Sequence, residues 1–168
     1  MRITTERLLL RRFTLLDAAF IYKLMNSPGW LQYIGDRNIS SVKDAENYIE
    51  KHYLSSYETS GFGAFIVELK ETGTAIGSSG LYKRDYLEHP DIGFAFLPEY
   101  SGKGYAFEAA SATLEFARNT LKMHTFLAIT LPENKDSIKL LNKLGLRAID
   151  KVTMKDEDEE LLLFSTAF

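Results

Sequence analysis

The chain has 168 residues, with 20 Lys and Arg against 23 Asp and Glu, a net charge of -3 and no cysteine. Its length and 45 % hydrophobic content fit one domain with a packed core and argue against intrinsic disorder. The missing cysteine excludes a disulfide scaffold, a Cys-ligated zinc or iron–sulfur centre and a thiol nucleophile, and the mild acidity disfavours a nucleic-acid partner.

The first apolar run, Leu8 to Leu10, is too short for a signal-peptide core, and no stretch approaches the ~20 apolar residues of a membrane span. A cytoplasmic protein without a membrane partner is expected. Arg7 to Phe13 reads as a strand. Thr14 and Asp17 form a capping-box pattern opening a helix with Ala18, Ile21 and Met25 on one face, which Pro28 and Gly29 should end. Ser41 and Asp44 repeat the pattern, and Gly61 should close the helix behind them. The period then shortens. Gly63 to Leu69, Ala75 to Tyr82 and Asp91 to Leu97 read as strands, the last stopped by Pro98. An Ala-rich helix runs to about Thr120, His124 to Leu131 is a strand, Lys135 to Leu144 is a helix stopped by Gly145, and Arg147 to Met154 with Leu161 to Ser165 suggest a final hairpin. This order predicts a mixed α/β (α+β) domain spanning residues 1–168, with a parallel unit between Asp91 and Leu131.

The segment Ser101-Gly102-Lys103-Gly104-Tyr105-Ala106 lies between a strand and a helix. Two glycines there permit a tight turn and close approach of the backbone to a ligand. Unpaired N–H groups at the helix start, together with the helix dipole, favour an anion such as a pyrophosphate. A plain loop is the alternative, since glycine punctuates turns anyway. Tyr105 after Gly104 departs from the Walker pattern, and Phe107 departs from the dinucleotide fingerprint.

This segment resembles the acetyl-CoA pyrophosphate loop of the GCN5-related N-acetyltransferases (GNAT superfamily), usually written Arg/Gln-x-x-Gly-x-Gly/Ala, which falls here on Ser101, Gly104 and Ala106. Thr5 to Arg11 resembles the opening strand of the Rim-type, ribosomal-protein N-terminal acetyltransferase-like group. Asp91 to Phe94 resembles its fourth strand, and Asn134 to Ser137 with Lys143 to Leu146 its second cofactor motif. The resemblance implies a mostly antiparallel sheet of about six to seven strands, splayed in the middle, with about four helices. It implies acetyl-CoA as cosubstrate, an amine acceptor (protein N-terminus or small molecule) and direct transfer in a ternary complex. A non-catalytic acyl-CoA-binding module is the alternative. Ser101, where relatives carry Arg or Gln, removes some support at the loop entrance.

The resemblance also implies site residues. Residues Ser101, Gly102, Lys103, Gly104, Tyr105 and Ala106 would hold the pyrophosphate. The main chain of Phe96 and Leu97 would pair with the pantetheine arm as an added strand does. Asn134 would contact the arm or cap its helix. Ser137, otherwise a polar residue near a helix start, or an ordered water would protonate the leaving thiolate, since Leu141 stands where many other members place a Tyr. Asp91, where relatives carry Glu, is a candidate general base, directly or through water, or simply a strand-start residue. Glu99, His89 and Asp156 are weaker candidates. Trp30, Tyr33 and Tyr82 are the candidates for acceptor contact, although most of the aromatics would serve as packing. The three histidines, His52, His89 and His124, share no ligand spacing, so no metal is expected. The sequence does not mark oligomeric state, and the resemblance leaves a homodimer open. The run Asp156 to Glu160 holds five acidic residues, so the rest of the chain is close to neutral. It reads as a solvated hairpin tip, or as a rim charge steering cationic amines.

Overall fold

The computed structural model describes residues 1–153 and 158–168. Among these, eight strands form one sheet: β1 (Arg2–Thr4), β2 (Leu8–Arg12), β3 (Ala64–Leu69), β4 (Ala75–Tyr82), β5 (Asp91–Phe96), β6 (Leu127–Thr130), β7 (Arg147–Thr153) and β8 (Glu160–Ser165). Their order across the sheet is β1-β2-β3-β4-β5-β6-β8-β7. Every neighbouring pair is antiparallel except β5 and β6.

Strand alternation divides the core into two faces. Ala64 and Ile66 of β3 join Phe13, Ile21, Leu24 and Ile49 under the early helices. Phe65 and Val67 turn the other way, onto Leu8, Leu10 and Ala109. The early helices are α1 (Ala18–Met25), α2 (Pro28–Tyr33), α3 (Val42–Tyr48) and α4 (Ser55–Ser60), with a π-helical turn, Ile49–Leu54, joining the last two. The opposite face carries α5 (Tyr105–Asn119) and α6 (Lys135–Lys143), which bury Leu114, Ala117 and Leu141 against Leu81, Ile92 and Phe126.

Both capping sites form. Thr14 and Asp17 close a reciprocal box, although it opens a 3-10 turn, Leu15–Asp17, before α1 begins. Ser41 accepts from the Asp44 N–H at 3.0 Å. Three expectations are corrected. Pro28 ends α1 but also opens α2, because its fixed φ suits a first helical position and its absent N–H is not needed there. The sheet gains the three-residue β1, too short to show a period, which pairs with β2 as an edge strand. The strand expected from His124 begins only at Leu127. The final hairpin forms, and its tip, with Met154 and Asp156, lies outside the described residues.

Candidate active site

The sheet is splayed where β5 meets β6. The two strands pair only at Asp91 and Leu127, supported by the Leu127 N–H donating to the Pro90 carbonyl at 2.9 Å. Beyond that point they diverge, and a cleft of about 1020 Å³ opens between them. Phe94, Phe96, Thr130 and Leu131 line the gap, Gly104 to Phe107 line one end, and Trp30, Tyr33 and Tyr82 line the other.

At the first end, Gly102 and Gly104 both have left-handed backbone, with φ of 75° and 83°. Gly104 is the N-cap of α5 and offers no side-chain cap, so the N–H groups at the helix start face the cleft uncapped. The first bond back into the helix is the Glu108 N–H to the Gly104 carbonyl, at 3.1 Å. An uncapped start on a fifteen-residue helix is an arrangement that can receive an anion through backbone N–H groups. The Ser101 hydroxyl is committed to the Pro98 carbonyl at 2.6 Å, closing the 3-10 turn Pro98–Tyr100. Lys103 does not line the cleft: its carbonyl accepts from Arg7, and its ammonium lies 5.8 Å from the Tyr100 ring.

Arg7 is the component sequence reasoning missed. Its guanidinium binds Glu108 at 2.7 Å and the Lys103 carbonyl at 2.9 Å, and stacks 4.4 Å from the Tyr105 ring. Glu108 also accepts from the Thr5 hydroxyl and from the Arg7 N–H. Burial pushes the Glu108 carboxyl up, but these donors outweigh it and hold the group below its usual value. The strand β2 is thereby clamped to the loop, and a cation stands beside a cradle whose own entrance position is Ser101. The sequence signal was an Arg at the start of a strand nearly a hundred residues upstream, with nothing local to connect the two. Arg7→Ala should raise the CoA dissociation constant several-fold with little change in kcat at saturating cosubstrate, as read by calorimetry and steady-state kinetics.

Along the gap, Phe96 and Leu97 behave differently. The Leu97 N–H donates to the Ile76 carbonyl at 2.9 Å, and its own carbonyl accepts from the Tyr100 N–H at 3.0 Å. Its side chain is buried under the early helices. The Leu97 N–H is therefore committed to β4, its carbonyl already carries one bond, and Leu97 does not line the cleft, so it is poorly placed to pair with a cofactor. Alternation turns the main-chain groups of Phe94 and Phe96 toward the gap instead.

Asn134 caps α6 by accepting from the Ser137 N–H at 3.2 Å, and both residues line the cleft. The Ser137 hydroxyl has no hydrogen-bond partner among the described residues. Leu141 is 1 % exposed and belongs to the core. Asp91, at the start of β5, is also 1 % exposed and lines the cleft. Its carboxylate accepts from Arg84 Nε at 2.8 Å. Burial pushes the Asp91 carboxyl above its usual value, and Arg84 opposes the rise without cancelling it. Burial works against the Arg84 charge, but Asp91 holds that guanidinium protonated. Glu99 pairs with Lys23 at 3.6 Å and His89 is exposed; neither lines the cleft.

At the far end, Tyr82 packs so closely over Gly93 that a Cβ there would lie 2.8 Å from its ring. Burial raises the Tyr82 phenol pKa well above the usual value. Tyr33 is half-buried. Trp30 is 9 % exposed, and its Nε1–H is the one buried side-chain donor without a partner among the described residues. Tyr53 and Tyr57 serve mainly as packing: Tyr53 is buried, and the Tyr57 hydroxyl donates to Ala64 and accepts from Phe13. No group of three potential metal ligands occurs among the described residues.

Comparison with known proteins gives the arrangement a context. Residues 7–147 match the family model described as an acetyltransferase (GNAT) domain. The chain is 34 % identical to the uncharacterized N-acetyltransferase YnaD of Bacillus subtilis over 148 residues, covering 88 % of this chain and 83 % of YnaD. A GNAT-family acetyltransferase from Bacillus anthracis superposes with a TM-score of 0.80 at 27 % identity, covering 98 % of this chain and 97 % of that one. The ribosomal-protein-S5-alanine acetyltransferase from Vibrio fischeri shares the fold, with a TM-score of 0.80 at 19 % identity over 98 % of this chain and 95 % of its own.

Proposed function

Since the chain belongs to the GNAT acetyltransferase family, we propose that it moves an acetyl group from acetyl-CoA directly to a primary amine within a ternary complex. The carrying observation is the continuity of one cleft, with an uncapped helix start at one end, a splayed strand edge in the middle and an aromatic wall at the other. That arrangement matches a phosphate, a pantetheine arm and an acceptor in that order.

The pyrophosphate is held by the N–H groups that follow Gly104. The pantetheine lies along the outward main-chain edge of Phe94 and Phe96. The amine enters past Trp30, Tyr33 and Tyr82. Its lone pair attacks the thioester carbonyl carbon, so a C–N bond forms and the C–S bond breaks. The amine proton passes to Asp91, directly or through water, and the thiolate takes one from Ser137 or from water. Positioning supplies most of the acceleration, because two bound reactants meet at a fixed angle. The reading also includes a cytoplasmic enzyme and a homodimer, measurable by cell fractionation and by light scattering.

The direct test is release of free thiol from acetyl-CoA against a panel of amines and N-terminal peptides. Binding of CoA with no acceptor-dependent release anywhere in the panel would overturn transfer. A thiol is a good leaving group, so Ser137→Ala should lower kcat only several-fold and leave the CoA dissociation constant unchanged. A loss of about 100-fold, the scale of a full general acid, would assign Ser137 a larger role than the geometry supports.

A further inference from the structure

Asp91 does not stand in the cleft as a lone carboxylate. Its side chain is 2 % exposed, and Arg84 Nε donates to Oδ1 at 2.8 Å. Oδ2 has no partner on another described residue. It is not sealed either, because the one sealed side-chain N or O atom without a partner among the described residues is Trp30 Nε1. Asp91 therefore meets the cleft through one oxygen while Arg84 holds the other.

The hairpin fixes this arrangement locally. Asp91 begins β5 opposite Tyr82, the last residue of β4, and Arg84 stands two residues beyond Tyr82. The Arg84 guanidinium lies 5.4 Å from the Tyr82 ring, and that ring packs on Gly93, where an added Cβ would come within 2.8 Å. Gly93, Tyr82, Arg84 and Asp91 thus form one packed series.

Stability alone does not account for the pair. A buried ion pair gains little over apolar side chains of the same volume, since both charges lose water. The chemistry gives it a use. Burial favours the neutral acid, which cannot accept a proton, whereas Arg84 favours the carboxylate, and no other side chain bears appreciably on this charge. Arg84 does not give up its own proton, so it acts as a fixed charge. Of the remaining neighbours, Tyr82 faces Asp91 from β4 with a phenol that burial keeps neutral, and Leu127 of β6 is apolar. Across the cleft the early helices present Tyr48, Lys51 and His52.

Resting on the acetyl-transfer reading above, with Asp91 as its base, we infer that Arg84 is a positioning residue: it keeps the buried Asp91 carboxylate ionised and leaves Oδ2 free for the acceptor's proton. In that step the amine N–H bond breaks, an O–H bond forms at Oδ2 directly or through one water, and the proton leaves to solvent before the next turnover.

The experiment follows the Asp91 carboxyl by two routes. Carbon-13 NMR of aspartate-labelled protein, with Asp91→Asn identifying the signal, reads its titration without any acceptor. Thiol release from acetyl-CoA reads the acidic limb of kcat, with the fastest acceptor among alaninamide, the dipeptide Ala-Ala and spermidine. Arg84→Met keeps an apolar stem and removes the charge. In that variant both the titration and the limb should move at least about one pH unit to the alkaline side, the scale set by an opposite charge at close range, while the kcat plateau stays within a few-fold. Arg84→Lys restores a charge without the planar fork and should recover part of the shift. His52→Gln controls for the other group along this wall that can titrate near neutral pH, and it should leave the limb in place. Should Arg84→Met fail to fold, Arg84→Gln, which can still donate to Oδ1 without a charge, carries the same expectation. A pair that only supports the fold would give a lower Tm and a lower kcat at every pH with an unmoved limb. That result, or a limb that follows His52, would overturn this inference while acetyl transfer stands. No release in any arm while CoA still binds would overturn acetyl transfer and this inference with it.

Discussion

Gly104→Val is expected to weaken CoA binding by at least about 100-fold in calorimetry, equivalent to about 2.8 kcal/mol, while the protein remains folded. Gly104 has a φ of 83° and is the N-cap of α5. A branched side chain in that conformation costs about 1–2 kcal/mol of strain, and its methyl groups would stand where the backbone must meet a phosphate. A Cβ at Gly104 also reaches 3.3 Å from Arg7 Nη2, so the substitution pushes on the clamp as well. Gly102→Ala separates strain from occlusion. Gly102 has nearly the same φ, 75°, but nothing lies within 4 Å of an added Cβ. That variant should lose comparable stability and much less CoA affinity. Equal affinity losses in the two variants would mean that loop strain, not blocked approach, controls binding. Unchanged affinity in Gly104→Val would remove the cradle from the cofactor site altogether.

Asp91→Asn is expected to lower kcat by about 100-fold, the lower end of a general base's contribution, and to flatten the acidic limb of the pH–rate profile. The base works only when deprotonated, so in the native enzyme kcat should rise with pH through the Asp91 pKa. Burial places that pKa above the ordinary aspartate value despite Arg84, so the limb should lie to the alkaline side of a free aspartate. Stability moves the other way. A carboxyl whose pKa is raised by folding contributes most below the ordinary aspartate pKa, and this contribution is lost as pH rises through the raised value. The wild type should therefore lose some stability across that window, and the Asn variant should not. If Asp91 only pairs with Arg84, the substitution would lower Tm and leave the shape of the pH–rate profile intact. Arg84 would still be left without its partner, so Tm must be measured beside kcat.

Several parts of this arrangement could be read without coordinates. The Thr14–Asp17 and Ser41–Asp44 caps are local, because a side chain three residues away satisfies a free N–H within one turn. The strands Gly63 to Leu69 and Asp91 to Leu97 were visible because burial on two faces repeats with the sheet period. The cradle was visible because glycines between a strand and a helix start are needed for a left-handed backbone. By contrast, α2 is not legible in the sequence, because Pro28 reads as a stop although the same rigid ring suits a helix start. The role of Leu97 is not legible either, because the sequence does not show which main-chain groups at the end of β5 are already bonded to β4.

The amino-acid sequence by itself determined most of the element order, the glycine turn at Gly102 to Ala106 and the lack of a thiol, since these depend on residues adjacent in the chain or on composition. Only the tertiary structure decided that β5 and β6 part after one pair, that Arg7 stands beside the Gly102–Gly104 turn and that Arg84 neutralises Asp91. Those features join residues far apart in the chain, and their energies come from distance, burial and charge compensation in space.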